Sequence, residues 1–141
     1  MAIAGPPLFP WSDDTYSVKI GLIDTQHKNL VNIINELHQA MLERQGKERL
    51  GGTLSSLIQY TQAHFRTEEH FLELHQYPEY DRHKTEHANL TRTVLDFQRK
   101  FEKNEVGLTT EVMGFLKDWL SHHIVDTDRK YGPFLNAKGL H

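Results

Sequence analysis

In residues 50–75, LGGTLSSLIQYTQAHFRTEEHFLELH, one row of side chains recurs at alternating steps of four and three residues. That spacing places the row on one face of an α-helix, where it faces the core of a helical bundle. The row begins with leucines and then continues through Thr61, His64 and Glu68. Burying polar groups without partners costs roughly 2–7 kcal/mol. The stretch therefore predicts a bundle helix whose second half has an unusual, polar buried face.

Three other segments carry the same helical spacing, and short connections separate them. Gly46, Gly51 and Gly52 mark the first connection, and Gln76–Pro78 and Asn104–Thr109 mark the other two. We find no alternation typical of a strand. Four helices joined by short loops predict an all-α fold, an antiparallel up-down-up-down four-helix bundle. The predicted helices span about 22–44, 53–75, 79–103 and 110–130.

The whole chain, residues 1–141, is interpreted as a single domain of three parts. Residues 1–19 have no sustained helical spacing and are expected to form an extended arm, with Phe9, Trp11 and Tyr16 as packing anchors. The bundle follows at about 20–131, and residues 132–141 form a short tail.

Composition excludes several functional classes. The net charge is −3 with mixed signs, which argues against nucleic acid or an anionic membrane as a partner. No apolar run approaches the ~20 residues that span a bilayer. Cysteine is absent, so disulfides, thiolate metal sites and iron–sulfur clusters are excluded. Because MAIAGPPLFPW lacks the charged and apolar regions of a signal peptide, we expect a cytoplasmic protein. A small surface of mixed charge is compatible with a monomer, which we also expect.

Polar residues on the core-facing rows gather at one predicted end of the bundle. In an antiparallel arrangement the starts of the first and third helices meet the ends of the second and fourth. A single buried histidine is usually an ordinary core residue, but a set of them at one depth on four helices needs a common partner. The set consists of His27, His64, Glu68, His83, His87, His123 and Asp128.

These donors suit a pair of metal ions. If both carboxylates bridge, then five imidazoles, the two bridges and one oxo or hydroxo group fill all but one position of two octahedral ions. Nitrogen-rich coordination favours iron over calcium or magnesium. A structural zinc site would be four-coordinate, which seven ligands exceed. The vacant position on reduced iron would bind dioxygen, and the high nitrogen content favours reversible binding over oxygen activation.

The sequence resembles the hemerythrins, specifically single-domain bacteriohemerythrins, over roughly residues 9–134. The matching segments are WSDDTYSVKIGLIDTQHKNL, HFRTEEHF, HKTEH and WLSHHIVDTDRKY. The resemblance implies a non-haem di-iron centre that binds O₂ without catalytic residues. It implies that His83, His87 and His123 bind one iron, that His27 and His64 bind the iron with the vacancy, and that Glu68 and Asp128 bridge.

The fourth helix poses a conflict of geometry. His123 and Asp128 are five residues apart, which is about 140° on an ideal α-helix, and Asp126 is better placed relative to His122 or His123. His123 nevertheless continues the apolar row that includes Trp119, and the resemblance favours His123 with Asp128. We therefore predict that the helix widens or ends near 126–128.

Other polar residues are interpreted as lying outside the site. Asp24 is left open between capping the first helix and orienting His27. Trp119 and Tyr131 are expected to pack around the site. The expected non-ligands are His38, His70, His75, His122 and His141.

Three functional classes remain open. The first is O₂ carriage, storage or delivery to an oxygen-consuming enzyme, which we favour and which is not enzymatic. The alternatives are O₂ or redox sensing, and the handling of peroxide, nitric oxide or iron at the same centre.

Overall fold

The computed structural model describes residues 7–141, which are helical and contain no strand. Residues 1–6 of the predicted arm lie outside the described residues. No helix in the described part of the chain is both long and apolar enough to cross a membrane. The helices are α1 (Asp13–Tyr16), α2 (Gly21–Leu42), α3 (Lys47–Leu74), α4 (Tyr80–Glu102), α5 (Thr110–His122), a π-helical segment (His123–Asp128) and α6 (Arg129–Ala137).

The predicted all-α four-helix bundle is confirmed. Helix α3 packs against both α2 and α4, and α5 packs against α2. The rows identified in the sequence face inward, so that Leu37, Leu54, Phe101 and Leu116 are buried in one apolar core. A second, smaller core joins residues of the arm, α2, α3 and α6 at the opposite end. The larger core thus fills one end of the bundle, and the smaller core connects the arm and α6 to the other end.

Three helices end without glycine. Arg44, Gln76 and Asn104 each adopt positive φ, between 56° and 61°, directly after the last turn of α2, α3 and α4. In each case the next amide donates to a carbonyl five residues earlier, as in Gln45 N to Ala40 O at 3.1 Å. This Schellman geometry satisfies the terminal carbonyls. Short, well-defined ends set how the four helices meet.

Helix α3 begins at Lys47, earlier than the predicted start near residue 53. Gly51 and Gly52 therefore lie inside a helix, although each costs about 1 kcal/mol relative to alanine there. The core-facing row explains the difference, because Leu50 and Leu54 both pack on the main core. Tertiary packing outweighs the local propensity of the glycines.

The arm is anchored by the predicted aromatic residues. Phe9 is fully buried, and Trp11 and Tyr16 pack against the same core. The backbone of Phe9 exchanges two hydrogen bonds with the Asn35 side chain, at 2.9 and 3.0 Å. The arm is not wholly extended, however, since Asp13–Tyr16 forms one helical turn. The Ser12 carbonyl accepts hydrogen bonds from the amides that close this turn.

The residues predicted as a short tail, 132–141, begin inside helix α6. The chain stays helical through Ala137 even though Pro133 lies inside α6 and cannot donate a backbone hydrogen bond. Tyr131 and Leu135 are buried on the second core, which offsets that loss. A Cβ on Gly132 would lie 2.6 Å from the Val18 carbonyl oxygen, so glycine permits the close contact between α6 and the arm.

Candidate metal centre

The structure brings the seven predicted site residues together at one end of the bundle. One lies near the start of α2, two near the end of α3, two near the start of α4, and two in the π-helical segment. All are at most 3% exposed. They are His27, His64, Glu68, His83, His87, His123 and Asp128.

The widened helix near Asp128 is confirmed. Residues His123–Asp128 form a π-helical segment between α5 and α6. A π-helix bonds each residue to the fifth one along, so it places side chains five apart on the same face. The imidazole Nε2 of His123 therefore lies 3.0 Å from Asp128 Oδ1. An ordinary α-helix would have turned Asp128 away from the cluster.

The donor atoms form two overlapping groups. The first contains Glu68, His83, His87, His123 and Asp128, and within it the donor atoms all lie within 4.8 Å of one another. The second contains His27, His64, Glu68 and Asp128, within the same limit. Both carboxylates belong to both groups. The arrangement is that of two adjacent cation positions, one facing three imidazoles and the other facing two.

Asp128 connects the two groups through its two oxygens. Its Oδ1 lies 3.1 Å from His83 Nε2 and 3.0 Å from His123 Nε2. Its Oδ2 lies 3.0 Å from His27 Nε2. Glu68 makes a similar connection, because its Oε1 lies 3.2 Å from the Nε2 atoms of both His64 and His87. Each carboxylate is placed to bridge.

Several inner atoms of this cluster have no hydrogen-bond partner among the described residues, although they lie close together and are shielded from solvent. An unsatisfied buried polar atom costs about 1–3 kcal/mol. One pair of cations would satisfy them all, because neutral imidazole nitrogens and carboxylate oxygens are electron-pair donors. The residues therefore fit a two-metal centre. The atoms are His27 Nε2, His64 Nε2, His83 Nε2, Glu68 Oε1 and both oxygens of Asp128.

The charges of the cluster also favour cations. Burial raises the pKa of Glu68, but the neighbouring His64 and His87 outweigh it and lower the pKa of that carboxyl. The pKa of Asp128 is lowered as well, with burial opposed by His123. Burial lowers the pKa of His123, yet Asp128 and Glu86 raise it to about 10. Without a metal the site keeps ionised carboxylates and holds a proton, which an entering cation must displace.

Three imidazoles each donate a hydrogen bond from Nδ1, the nitrogen that faces away from the cluster, to a residue of an adjacent helix. Gln26 Oε1 accepts from His64 Nδ1 at 2.6 Å. Glu69 Oε2 accepts from His87 Nδ1 at 2.8 Å. Glu86 Oε1 accepts from His123 Nδ1 at 2.8 Å, and from Thr127 Oγ1 at the same distance. These bonds leave each Nε2 facing the cluster.

Tyr131 has a larger part than packing alone. Its phenol is buried and donates a hydrogen bond to Glu68 Oε2. Burial, followed by the charges of Glu68 and Asp128, raises the pKa of Tyr131 well above its ordinary value, so the phenol stays protonated as a donor. Tyr131 therefore fixes the oxygen of Glu68 that points away from His64 and His87.

Apolar residues enclose part of the cluster. The Phe65 ring stacks on His87 with centroids 3.7 Å apart and planes 5° from parallel. Ile124 is fully buried beside His123. Trp119 is 8% exposed and belongs to the main core, consistent with a packing role. These side chains separate the donors from water on the bundle side.

The structure keeps other candidates away from the centre. His122 is exposed and pairs with Asp126 at 3.2 Å. Both suggested roles of Asp24 are wrong, because its carboxylate accepts from Ser17 Oγ and Val18 N and so ties the arm to α2. The outer nitrogen of His27 has no partner in the part of the chain that the structure describes. The remaining predicted non-ligands, His38, His70, His75 and His141, also lie outside the donor groups found there.

The residues that accept hydrogen bonds from the imidazoles were not predicted from the sequence. A signal was present, since Gln26, Glu69 and Glu86 each stand next to a predicted ligand in the chain. Each one, however, bonds a histidine on a neighbouring helix and not the ligand beside it. The pairing depends on how the helices are rotated against each other, which the spacing alone does not determine.

Comparison with known proteins gives a consistent picture. The model of the hemerythrin HHE cation binding domain matches residues 18–135. The bacteriohemerythrin of Methylococcus capsulatus is 33% identical over 130 residues, which cover 92% of this chain and 98% of that protein. The bacteriohemerythrin of Pseudomonas aeruginosa is 36% identical over 123 residues, covering 86% and 77%. A crystal structure of wild-type hemerythrin superposes with a TM-score of 0.84, at 32% identity, covering 89% of this chain and 96% of that one.

Proposed function

The chain belongs to the hemerythrin family, and on that premise we propose that it binds dioxygen reversibly at a non-haem di-iron centre. Its role would be oxygen carriage, storage or delivery to an oxygen-consuming enzyme. One observation carries this: two groups of buried donors share Glu68 and Asp128. Carboxylates that belong to both groups can bridge two adjacent metal ions, whereas a site for one ion does not require shared ligands.

Each side chain has a defined part in this proposal. His83, His87 and His123 would hold one iron, and His27 and His64 the other. Glu68 and Asp128 would bridge. The iron pair, when bound and reduced, supplies the electrons and the open coordination position for O₂. Because three imidazoles face one position and two face the other, the second is the one with room for a ligand.

The surroundings suit binding and release better than turnover. Phe65 covers one side of the donors and Ile124 is buried beside them, so little water has access. Both carboxyl groups of the cluster would serve as metal ligands, which would leave neither to act as a general acid or base. The phenol of Tyr131 is bonded to Glu68 and stays protonated. We therefore propose that the protein is not an enzyme.

The test is an optical titration of the purified, iron-loaded, reduced protein, moved from anaerobic to aerobic conditions and back, with iron counted per chain. Two irons and a visible band that appears with O₂, vanishes on its removal and returns would support reversible binding. Immediate irreversible oxidation would contradict it and favour sensing or peroxide chemistry. Absence of iron uptake would contradict the di-iron centre itself.

A matched pair of variants on α2 sharpens this test. His27 and His38 both lie on α2, but only His27 belongs to a donor group. His27→Ala is expected to lose the optical band and to reduce the iron count, whereas His38→Ala keeps both. Equal behaviour of the two variants would contradict the assignment of His27.

A further inference from the structure

The two proposed iron positions differ in the hydrogen-bond acceptors that bind the outer nitrogens, Nδ1, of their histidines. On the three-histidine side, the outer nitrogens of His87 and His123 donate to the carboxylates of Glu69 and Glu86 at 2.8 Å. On the two-histidine side, His64 donates to the neutral amide oxygen of Gln26. The outer nitrogen of His27 has no partner within residues 7–141.

This difference has a chemical consequence. A carboxylate that accepts the outer N–H of an imidazole draws the proton toward itself and makes the inner nitrogen a stronger donor to a metal. Charged acceptors form hydrogen bonds roughly twice as strong as neutral ones. An amide such as Gln26 orients the ring but adds no charge. Glu69 and Glu86 also place two negative charges next to one cation position and none next to the other.

Resting on the di-iron function proposed above, we propose that Glu69 and Glu86 are positioning residues that make the three-histidine position hold its iron more tightly than the two-histidine position. The iron that binds O₂ is then the one more readily exchanged. Gln26 contributes to the weaker iron binding of the two-histidine position, because it keeps His64 in place without making His64 a stronger donor to the metal.

The number of imidazole ligands alone would give the same order of iron affinity, since three imidazoles bind an iron more firmly than two. Charge and ligand number are separated by Glu69→Gln and Glu86→Gln, which keep every metal ligand and a hydrogen-bond acceptor of the same shape. Gln26→Glu makes the reverse change on the other side. Glu73→Gln is the matched control, since Glu73 lies one turn after Glu69 on α3 and is exposed.

The experiment is an equilibrium competition. The full chain, loaded anaerobically with two Fe(II), is exposed to rising concentrations of a ferrous chelator, and the iron retained per chain is measured. The natural sequence is expected to lose its irons in two separate steps. In Glu69→Gln and Glu86→Gln the second step should need about 10–100-fold less chelator, with the first step little changed. Gln26→Glu should move the first step to higher chelator, and Glu73→Gln should move neither.

Alanine variants distinguish charge from orientation. If Glu86→Gln retains iron like the natural sequence while Glu86→Ala does not, the carboxylate only orients His123, and the proposed role of charge is overturned. Two irons that leave in one step from the natural sequence would also overturn it, while leaving the di-iron function intact. A natural chain that never holds two irons would instead contradict the di-iron function on which this role depends.

Discussion

The two ends of the bundle use the same helices and the same core-facing positions in opposite ways. At one end these positions hold Leu37, Leu54, Phe101 and Met113, which are at most 6% exposed and pack against one another. At the other end they hold histidines and carboxylates that are equally buried. The two ends are equally buried, but the interactions that stabilise the buried groups differ between them.

The apolar end is complete by itself, and the polar end is not. Apolar side chains are stabilised by leaving water, so the apolar end needs nothing beyond the chain. The polar end contains donor atoms without hydrogen-bond partners in the described part of the chain. Its stability should therefore depend on metal, whereas that of the apolar end should not.

Removing the metal should have the largest effect. At free metal about 1,000-fold above its dissociation constant, a bound site stabilises the folded state by about 4 kcal/mol. We expect the iron-loaded protein to melt about 10 °C or more above the chelator-treated protein. Hydrogen exchange should show lost protection around His64 and His123, and much less around Leu37. Equal melting temperatures would contradict the dependence of the polar end on metal.

The converse change is made at the apolar end. Leu37→Ala should lower the free energy of unfolding by about 2–5 kcal/mol, because it leaves a cavity in a packed core. The iron count per chain should stay at the natural value. Denaturant unfolding of the loaded protein gives the first quantity and iron analysis the second. Loss of iron would show that the two ends are not independent.

A smaller loss of unfolding free energy is expected at Tyr131, which belongs to the second core and contacts the site. Tyr131→Phe removes the hydrogen bond to Glu68, and bonds to charged groups contribute about 1.5–3 kcal/mol. Both irons should remain, since no ligand is lost. Tyr77→Phe is the control, because its phenol makes only a long contact of 3.5 Å to Glu79. Equal losses of unfolding free energy in the two variants would contradict the role of Tyr131.

The smallest effect is expected from His122→Ala. His122 is exposed, and surface changes usually stay within about 0.5 kcal/mol. Iron content should be unchanged. The neighbouring change His123→Ala should lower iron content, because it removes a donor of the three-histidine position. If the two variants behaved in the opposite way, the alignment of the π-helical segment would be wrong.

The parts of the fold that follow from periodic spacing were predictable from the sequence. Steps of four and three residues place side chains on one face, so the four long helices and the gathering of the seven donors at one end followed directly. The five-residue separation of His123 and Asp128 conflicts with an α-helix, and that conflict located the widened segment. The mismatch between this ligand pair and α-helical geometry therefore predicted a local departure from the α-helix.

Features that depend on tertiary contact were not predictable in this way. The start of α3 at Lys47 and the continuation of α6 past Pro133 both go against local propensity and are supported by packing. The bond from Tyr131 to Glu68 joins residues 63 apart in the chain. Such contacts are set by the rotation and depth of whole helices, and no local pattern records them.

Anomalous diffraction at the iron edge, from crystals of the iron-loaded protein, shows directly whether two metals share Glu68 and Asp128. Two peaks are predicted, each next to both carboxylates, one facing His83, His87 and His123 and the other facing His27 and His64. A single peak, or two peaks that do not share these carboxylates, would contradict a two-metal centre bridged by Glu68 and Asp128.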